Sequence, residues 1–104
     1  MIERESDRKD QTPKLGKPLS KGEYYVYLLI HNTGTAPITV DELYKQFYNR
    51  NVEKIGDRSS VYMKIARIRL KMGEHSIINL PKPNRKMVGY VTRRALIEEN
   101  SLNI

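Results

Sequence analysis

The densest chemistry in this 104-residue chain lies between Ser59 and Met72, in the run SSVYMKIARIRLKM. Val61, Ile65, Ile68 and Met72 recur at i, i+4, i+7 and i+11, which puts them on one stripe of a helix. Lys64, Arg67, Arg69 and Lys71 are spread around the rest of it. An apolar stripe that docks on a core beneath a basic outer surface has two uses. It makes an ordinary surface helix with solvated charges, or a helix laid into the major groove of duplex DNA.

With the stripe turned inward and about 100° per residue, Ser59, Met63, Ala66, Arg67 and Leu70 point away from the core. On the second reading these meet the groove floor. Arg67 is the best base reader, because a guanidinium can bond bidentately to guanine O6 and N7. Met63 suits a thymine methyl. Lys64, Arg69 and Lys71 lie on the flanks and suit phosphates, which position a protein without reading sequence. Arg58 and Ser60, at the expected helix start, are also placed for phosphate, helped by the free amides of a helix N-terminus.

The charge distribution favours the DNA reading. Net charge is +7, but residues 54–94 hold eleven Lys or Arg against Asp57 and Glu74, so that window carries +9 and the remainder −2. A basic half joined to a slightly acidic half has a directed field, as a polyanion-binding face needs. At 38% hydrophobic and 30% charged residues, the composition is that of one globular domain. No apolar run approaches the roughly 18 residues of a membrane span, and MIERESDRKD has no apolar segment of a secretory signal. The absence of cysteine removes disulfides and cysteine-based zinc sites and fits a cytoplasmic location. His31 and His75 are isolated, so no metal is expected. No nucleophile–base pair, glycine-rich phosphate loop or carboxylate constellation points to an enzyme or a cofactor.

Around the basic helix the pattern supplies a frame. Residues 1–18 mix charges with Pro13, Gly16 and Pro18 and read as a flexible arm. Ser20 with Glu23 is a capping box that opens a first helix. The run EYYVYLLI is apolar nearly all round and predicts a central, buried helix ending near Asn32-Thr33-Gly34. Pro37-Ile38 reads as a short extended link. Thr39 with Glu42 is a second capping box, opening a helix to about Tyr48. Tyr24, Tyr27, Tyr44 and Tyr48 fall at helical spacing and read as core. Asn49 to Asp57 is a polar loop. The basic helix, 59–72, is capped by Ser59 or Ser60 and stopped by Gly73. Ile77, Ile78 and Leu80 predict a strand, PKPNRK a turn, and Met87, Val88, Tyr90 and Val91 a returning strand. Arg93 to Leu102 is a candidate short helix, although its early arginines and late glutamates oppose the helix dipole.

The ordered set of motifs resembles the C-terminal DNA-binding domain of OmpR/PhoB-type response regulators over about residues 19–92. Leu19-Ser20-Lys21-Gly22-Glu23-Tyr24 is similar to the family's opening motif. Ile38-Thr39-Val40-Asp41-Glu42-Leu43 is similar to the start of its second helix. Arg58 to Met72 matches its third helix at Val61, Ile65, Arg67, Arg69 and Lys71, and Lys86-Met87-Val88-Gly89-Tyr90-Val91 is similar to the end of its wing. The resemblance implies base contacts at Tyr62, Met63 and Arg67. It also implies a wing, residues 81–87, whose Arg85 and Lys86 reach the minor groove, and a packed Tyr90 ring with its hydroxyl at the surface. Departures are Tyr62 where the family has Asp, Met87 where it has the first wing glycine, and Pro81 and Pro83 in the turn. The chain has no room for the family's receiver domain, and residues 1–18 are too short and polar for its upstream sheet.

The expectation is therefore an α+β winged helix-turn-helix, with a three-helix core and a C-terminal β-hairpin wing over residues 19–94, an arm at 1–18 and a tail or short helix at 95–104. Its expected function is sequence-specific binding of double-stranded DNA as a prokaryotic or phage transcriptional regulator. Tyr62, Met63, Ala66 and Arg67 would read bases, and Arg58, Ser60, Lys64, Arg69 and Lys71 would hold phosphates. The alternatives are a replication-origin binder using the same surface and a winged-helix module that docks on protein. A protein regulator is a further expected partner. The free chain is expected to be a monomer that pairs on DNA through the segment around Leu96, Ile97 and Leu102.

Overall fold

The computed structural model describes residues 15–81 and 88–102. Two reciprocal capping boxes open its first two helices. The Ser20 hydroxyl accepts the Glu23 amide at 3.2 Å, and the Glu23 carboxylate accepts the Ser20 amide at 3.1 Å. Thr39 and Glu42 repeat the exchange at 3.2 and 3.1 Å. Each box satisfies amides that a helix start leaves orphaned, which fixes α1 at Lys21–Asn32 and α2 at Val40–Tyr48. Asn49, at φ 58°, ends α2 in the left-handed conformation that asparagine tolerates.

The third helix, α3, runs Ile55–Met72, so it starts ahead of the expected Ser59 or Ser60 cap. Asp57 is the reason. Its carboxylate accepts the amides of Lys54 and Glu53 at 3.0 and 3.1 Å, which supplies an N-terminal cap before the serines are reached. These two amides hold the Asp57 carboxyl below its ordinary pKa. Ser60 instead lies inside the helix, and its hydroxyl donates back to the Asp57 carbonyl at 2.9 Å. Gly73, at φ 110°, terminates α3 as expected.

A 3-10 turn at Glu74–Ser76 leads into β2, Ile77–Pro81, and β3, Val88–Thr92. The expected hairpin is one part of a larger sheet. Ile38, expected in a short extended link with Pro37, and the capping residue Thr39 form a third strand, β1, paired with β3 at Ile38↔Tyr90 and Thr39↔Gly89. The order is β1-β3-β2 with both pairings antiparallel. The chain closes with α4, Arg93–Leu102. Its amide at Ala95 is capped by the Thr92 hydroxyl at 3.1 Å, and Ala95 is buried against the sheet. Local capping and packing thus outweigh charges that oppose the dipole. The expected domain end at residue 94 falls inside this helix.

The described residues form a small α+β domain of four helices and a three-stranded antiparallel sheet. Its core joins Val26 and Ile30 of α1, Leu43 and Tyr44 of α2, Val61, Ile65 and Ile68 of α3, and Ile77 and Tyr90 of the sheet. Three expectations change. Helix α1 buries one face rather than its whole circumference, leaving Tyr24 and Tyr25 exposed, so Tyr24 is not core. Met72 leaves the stripe and is 43% exposed. Of the expected arm, residues 1–14 lie outside the described residues, but the Gly16 amide bonds the Lys71 carbonyl at 3.0 Å and attaches this part to the end of α3. Among the described residues no helix is long and apolar enough to cross a membrane.

Gly89 shows how tightly β1 is seated. A Cβ there would lie 2.4 Å from the Pro37 Cβ and 2.9 Å from its carbonyl carbon. Overpacking of this kind costs roughly 1–3 kcal/mol, so Gly89→Ala should lower the urea midpoint accordingly. An unchanged midpoint would mean that β1 yields freely.

Candidate functional site

Helix α3 turns its side chains into two sectors. Val61, Ile65 and Ile68 are at most 2% exposed and seat it on the core. On the outer side Ser59, Tyr62, Met63, Ala66 and Arg67 are all exposed. Tyr62, Met63, Ala66 and Arg67 are the four residues expected to read bases, and their spacing of i, i+1, i+4 and i+5 makes them one contiguous patch. Leu70 is half-buried, so this patch ends at Arg67 toward the C-terminus.

The residues expected to hold phosphates are engaged within the protein. Arg58 grips Asp41 of α2 in a bidentate pair, Nε–Oδ1 2.7 Å and Nη2–Oδ2 3.1 Å; this carboxylate raises the Arg58 pKa further and keeps it charged. Ser60 accepts the Tyr48 hydroxyl at 3.2 Å. The Lys64 ammonium donates to that same hydroxyl at 3.2 Å and sits 5.0 Å over the Phe47 ring. Arg69 donates to the Ile77 carbonyl from Nε and Nη2 and to the Asn79 side chain at 2.6 Å, which ties α3 to β2. Lys71 is farthest from its expected role. Its side chain is 15% exposed and pairs with Glu23 at 2.6 Å, against a carboxylate side chain only 6% exposed. Ser60 and Arg58 also lie too far inside α3 to use the free amides of its start, which belong to the turn after Lys54. Arg85 and Lys86 lie outside the described residues.

Arg67 therefore differs in kind from its neighbours. It is exposed, and among the described residues no acidic side chain pairs with it. What the patch can do follows from its groups: one free guanidinium for a bidentate acceptor pair, flanked by a phenol, a thioether and a methyl that favour flat or apolar surfaces.

Pattern reasoning also missed a concavity. A cleft of about 640 Å³ opens between α4 and the 3-10 turn, lined by Tyr27, Met72, His75, Arg93, Arg94 and Ile97 among others. Its nearest sequence signal is Ala95-Leu96-Ile97, set between arginines and glutamates, and three apolar residues in a short helix announce a packed face rather than a cleft. Among the described residues no three His, Asp or Glu side chains gather as metal ligands. Compared with family models, curated proteins and solved structures, the chain matches none.

The Glu23–Lys71 pair makes the clearest prediction here. Burial alone pushes the Glu23 carboxyl up, but the Lys71 hydrogen bond, the Ser20 amide and the Lys71 charge outweigh it, leaving it below its ordinary value near 4.5. A carboxyl lowered in the folded state stabilises fully above that value, and the contribution is lost as pH falls through the folded value. Lys71→Met should cost about 3 kcal/mol at neutral pH by stranding the buried carboxylate. The double variant with Glu23→Gln should cost less than the two single changes added together. In acid titrations followed by circular dichroism, wild-type stability should fall below pH 4.5 more steeply than that of Glu23→Gln. Equal slopes would remove Glu23 from the stability account.

Proposed function

We propose that this protein is a winged helix-turn-helix that binds double-stranded DNA sequence-specifically in the cytoplasm and regulates transcription, with α3 in the major groove. The observation that carries it is the outer patch of α3. Tyr62, Met63, Ala66 and Arg67 are exposed together on the helix whose opposite side is packed into the core. The order of elements supports the reading: helix, short strand, helix, long basic helix, then two more strands, the last of which lies between the other two. On this reading residues 81–87 form the wing, and Arg85 and Lys86 approach the minor groove.

The internal engagement of Arg58, Lys64, Arg69 and Lys71 changes the energetics of binding. These cations keep α3 in place, and a smaller set meets phosphate. Exposed Lys54 and the basic residues of 82–86 are the better candidates. Specificity then rests mainly on the patch, where one bidentate pair contributes on the order of 1–3 kcal/mol of discrimination.

Two measurements test this. In binding titrations with a duplex carrying a selected site, log K should fall with log salt at a slope of roughly −4 to −5, for about four to six phosphates. Arg67→Ala should cost on the order of 1–3 kcal/mol at the selected site and flatten preference at one base pair, whereas Lys54→Ala should weaken every sequence alike. No binding to any duplex at about 50 mM salt would defeat the proposal and favour a protein-docking module. A binding site placed at an origin of replication would favour an origin binder with the same surface.

A further inference from the structure

We propose that the cleft between α4 and the 3-10 turn binds a free α-amino acid with a large apolar side chain, its carboxylate toward Arg93 and its ammonium toward Glu74. This does not depend on DNA binding.

The charges of the cleft lead to it. Among the described residues, four side chains of fixed charge line it: Glu74 on the 3-10 turn, and Arg93, Arg94 and Glu98 on α4. Arg94 and Glu98 already pair at 3.4 Å, so they compensate each other. Arg93 and Glu74 are different. Both are exposed, they border the cleft from different elements, and neither has a hydrogen-bond or ion-pair partner among the described residues. The cleft thus offers one uncommitted cation from α4 and one uncommitted anion from the turn. A simple anion would leave Glu74 uncompensated beside it, and a simple cation would do the same to Arg93. A ligand that carries both charges satisfies both. Arg93 is also the first residue of α4, where a cation lies at the positive end of the helix dipole. A carboxylate on Arg93 offsets that unfavourable placement.

The apolar lining indicates the rest of the ligand. Tyr27 of α1, Met72 from the last turn of α3 and Ile97 of α4 all border the cleft. Met72 and Ile97 are 43% and 50% exposed, so apolar surface is left in water there. Arg93, Arg94, Ile97 and Glu98 stand at i, i+1, i+4 and i+5, which makes them one contiguous face of α4. Ala95 lies on another side and is buried. The volume of about 640 Å³ falls within the roughly 300–1,000 Å³ of small-molecule sites and admits a side chain as large as a benzyl group. An aromatic ring suits the Met72 thioether and the Tyr27 ring. In an α-amino acid the carboxylate, the ammonium and the side chain leave one carbon in three directions. The cleft presents a cation, an anion and an apolar surface from separate elements in the same way.

The cleft is open to water, so both charges stay partly hydrated and the Kd lies between about 10 μM and about 1 mM. Titration of the full isotope-labelled chain with L-phenylalanine, read by amide NMR shifts, tests this. The shifts should saturate within that range and centre on residues 72–76 and 93–98. Three analogues dissect the ligand on the wild type. Phenethylamine lacks the carboxylate, hydrocinnamate lacks the ammonium and glycine lacks the side chain; each should bind at least tenfold more weakly. Arg93→Gln should weaken L-phenylalanine at least tenfold and leave phenethylamine unchanged. Glu74→Gln should weaken it likewise and leave hydrocinnamate unchanged. No saturable shift with L-phenylalanine or L-leucine, analogues that bind as tightly, or variants that bind L-phenylalanine undiminished would each overturn the proposal. Should either variant fail to fold by circular dichroism, the analogue comparison on the wild type decides alone.

Discussion

A carboxylate almost wholly removed from water must find its partners inside the protein, and Glu23 does so by joining separate stretches of chain. It accepts the Ser20 amide, which closes the start of α1, and the Lys71 ammonium, which arrives from the last turn of α3. Lys71 in turn offers its carbonyl to Gly16, so the segment leading into α1 is fastened to the same residue. Removing one member of such a group leaves the others buried without compensation, which is why an interaction that adds little net energy when complete still governs the arrangement. The orientation of α3 against α1, and hence the direction in which its outer face looks, depends on this junction.

The same logic extends along α3. Arg58 holds α2 through Asp41, Lys64 lies on the aromatic rings at the end of α2, and Arg69 binds the backbone of β2. Cations that a helical projection assigns to solvent are thus distributed among its neighbours. The electrostatic consequence is specific. Asp41 and Glu23 both lie outside the basic window of residues 54–94, so their pairing with Arg58 and Lys71 joins the two oppositely charged parts of the sequence. The field outside the molecule is weaker than the sequence separation of charge implies.

What was legible in the sequence was local. The capping boxes at Ser20 and Thr39 need only a partner three residues away, and the Val61-Ile65-Ile68 stripe needs only the helical period. The rest depended on contacts that no window reveals. Two residues, Ile38 and Thr39, are too few to announce a strand, and they become one because β3 returns beside them. Asp57 caps α3 ahead of two serines that look like better caps, because its side chain folds back over Glu53 and Lys54. Lys71 could not be told from a phosphate-binding lysine without knowing that Glu23, 48 residues earlier, lies beside it. Tyr62, Met63, Ala66 and Arg67 are all exposed, as the residues and the family resemblance together anticipate, whereas the angle misplaces Leu70 and Met72 in the last turn, where neighbouring elements decide exposure.

The two sectors of α3 therefore answer to different constraints. Val61, Ile65 and Ile68, with the cations that flank them, are fixed by packing and by buried charge, where changes of size or sign are costly. Tyr62, Met63, Ala66 and Arg67 touch little of the frame, so their identities can change with small effect on folding. A helix held on several sides presents its outer residues in a fixed geometry, so little conformational entropy is lost when they engage a surface. Under the proposed function this separates affinity from specificity. The frame keeps its cations for itself, and the sequence preference lies in a patch that can vary while the fold stays intact. Such a patch, with a single free guanidinium among apolar neighbours, discriminates by shape and by one hydrogen-bonding pair more than by charge.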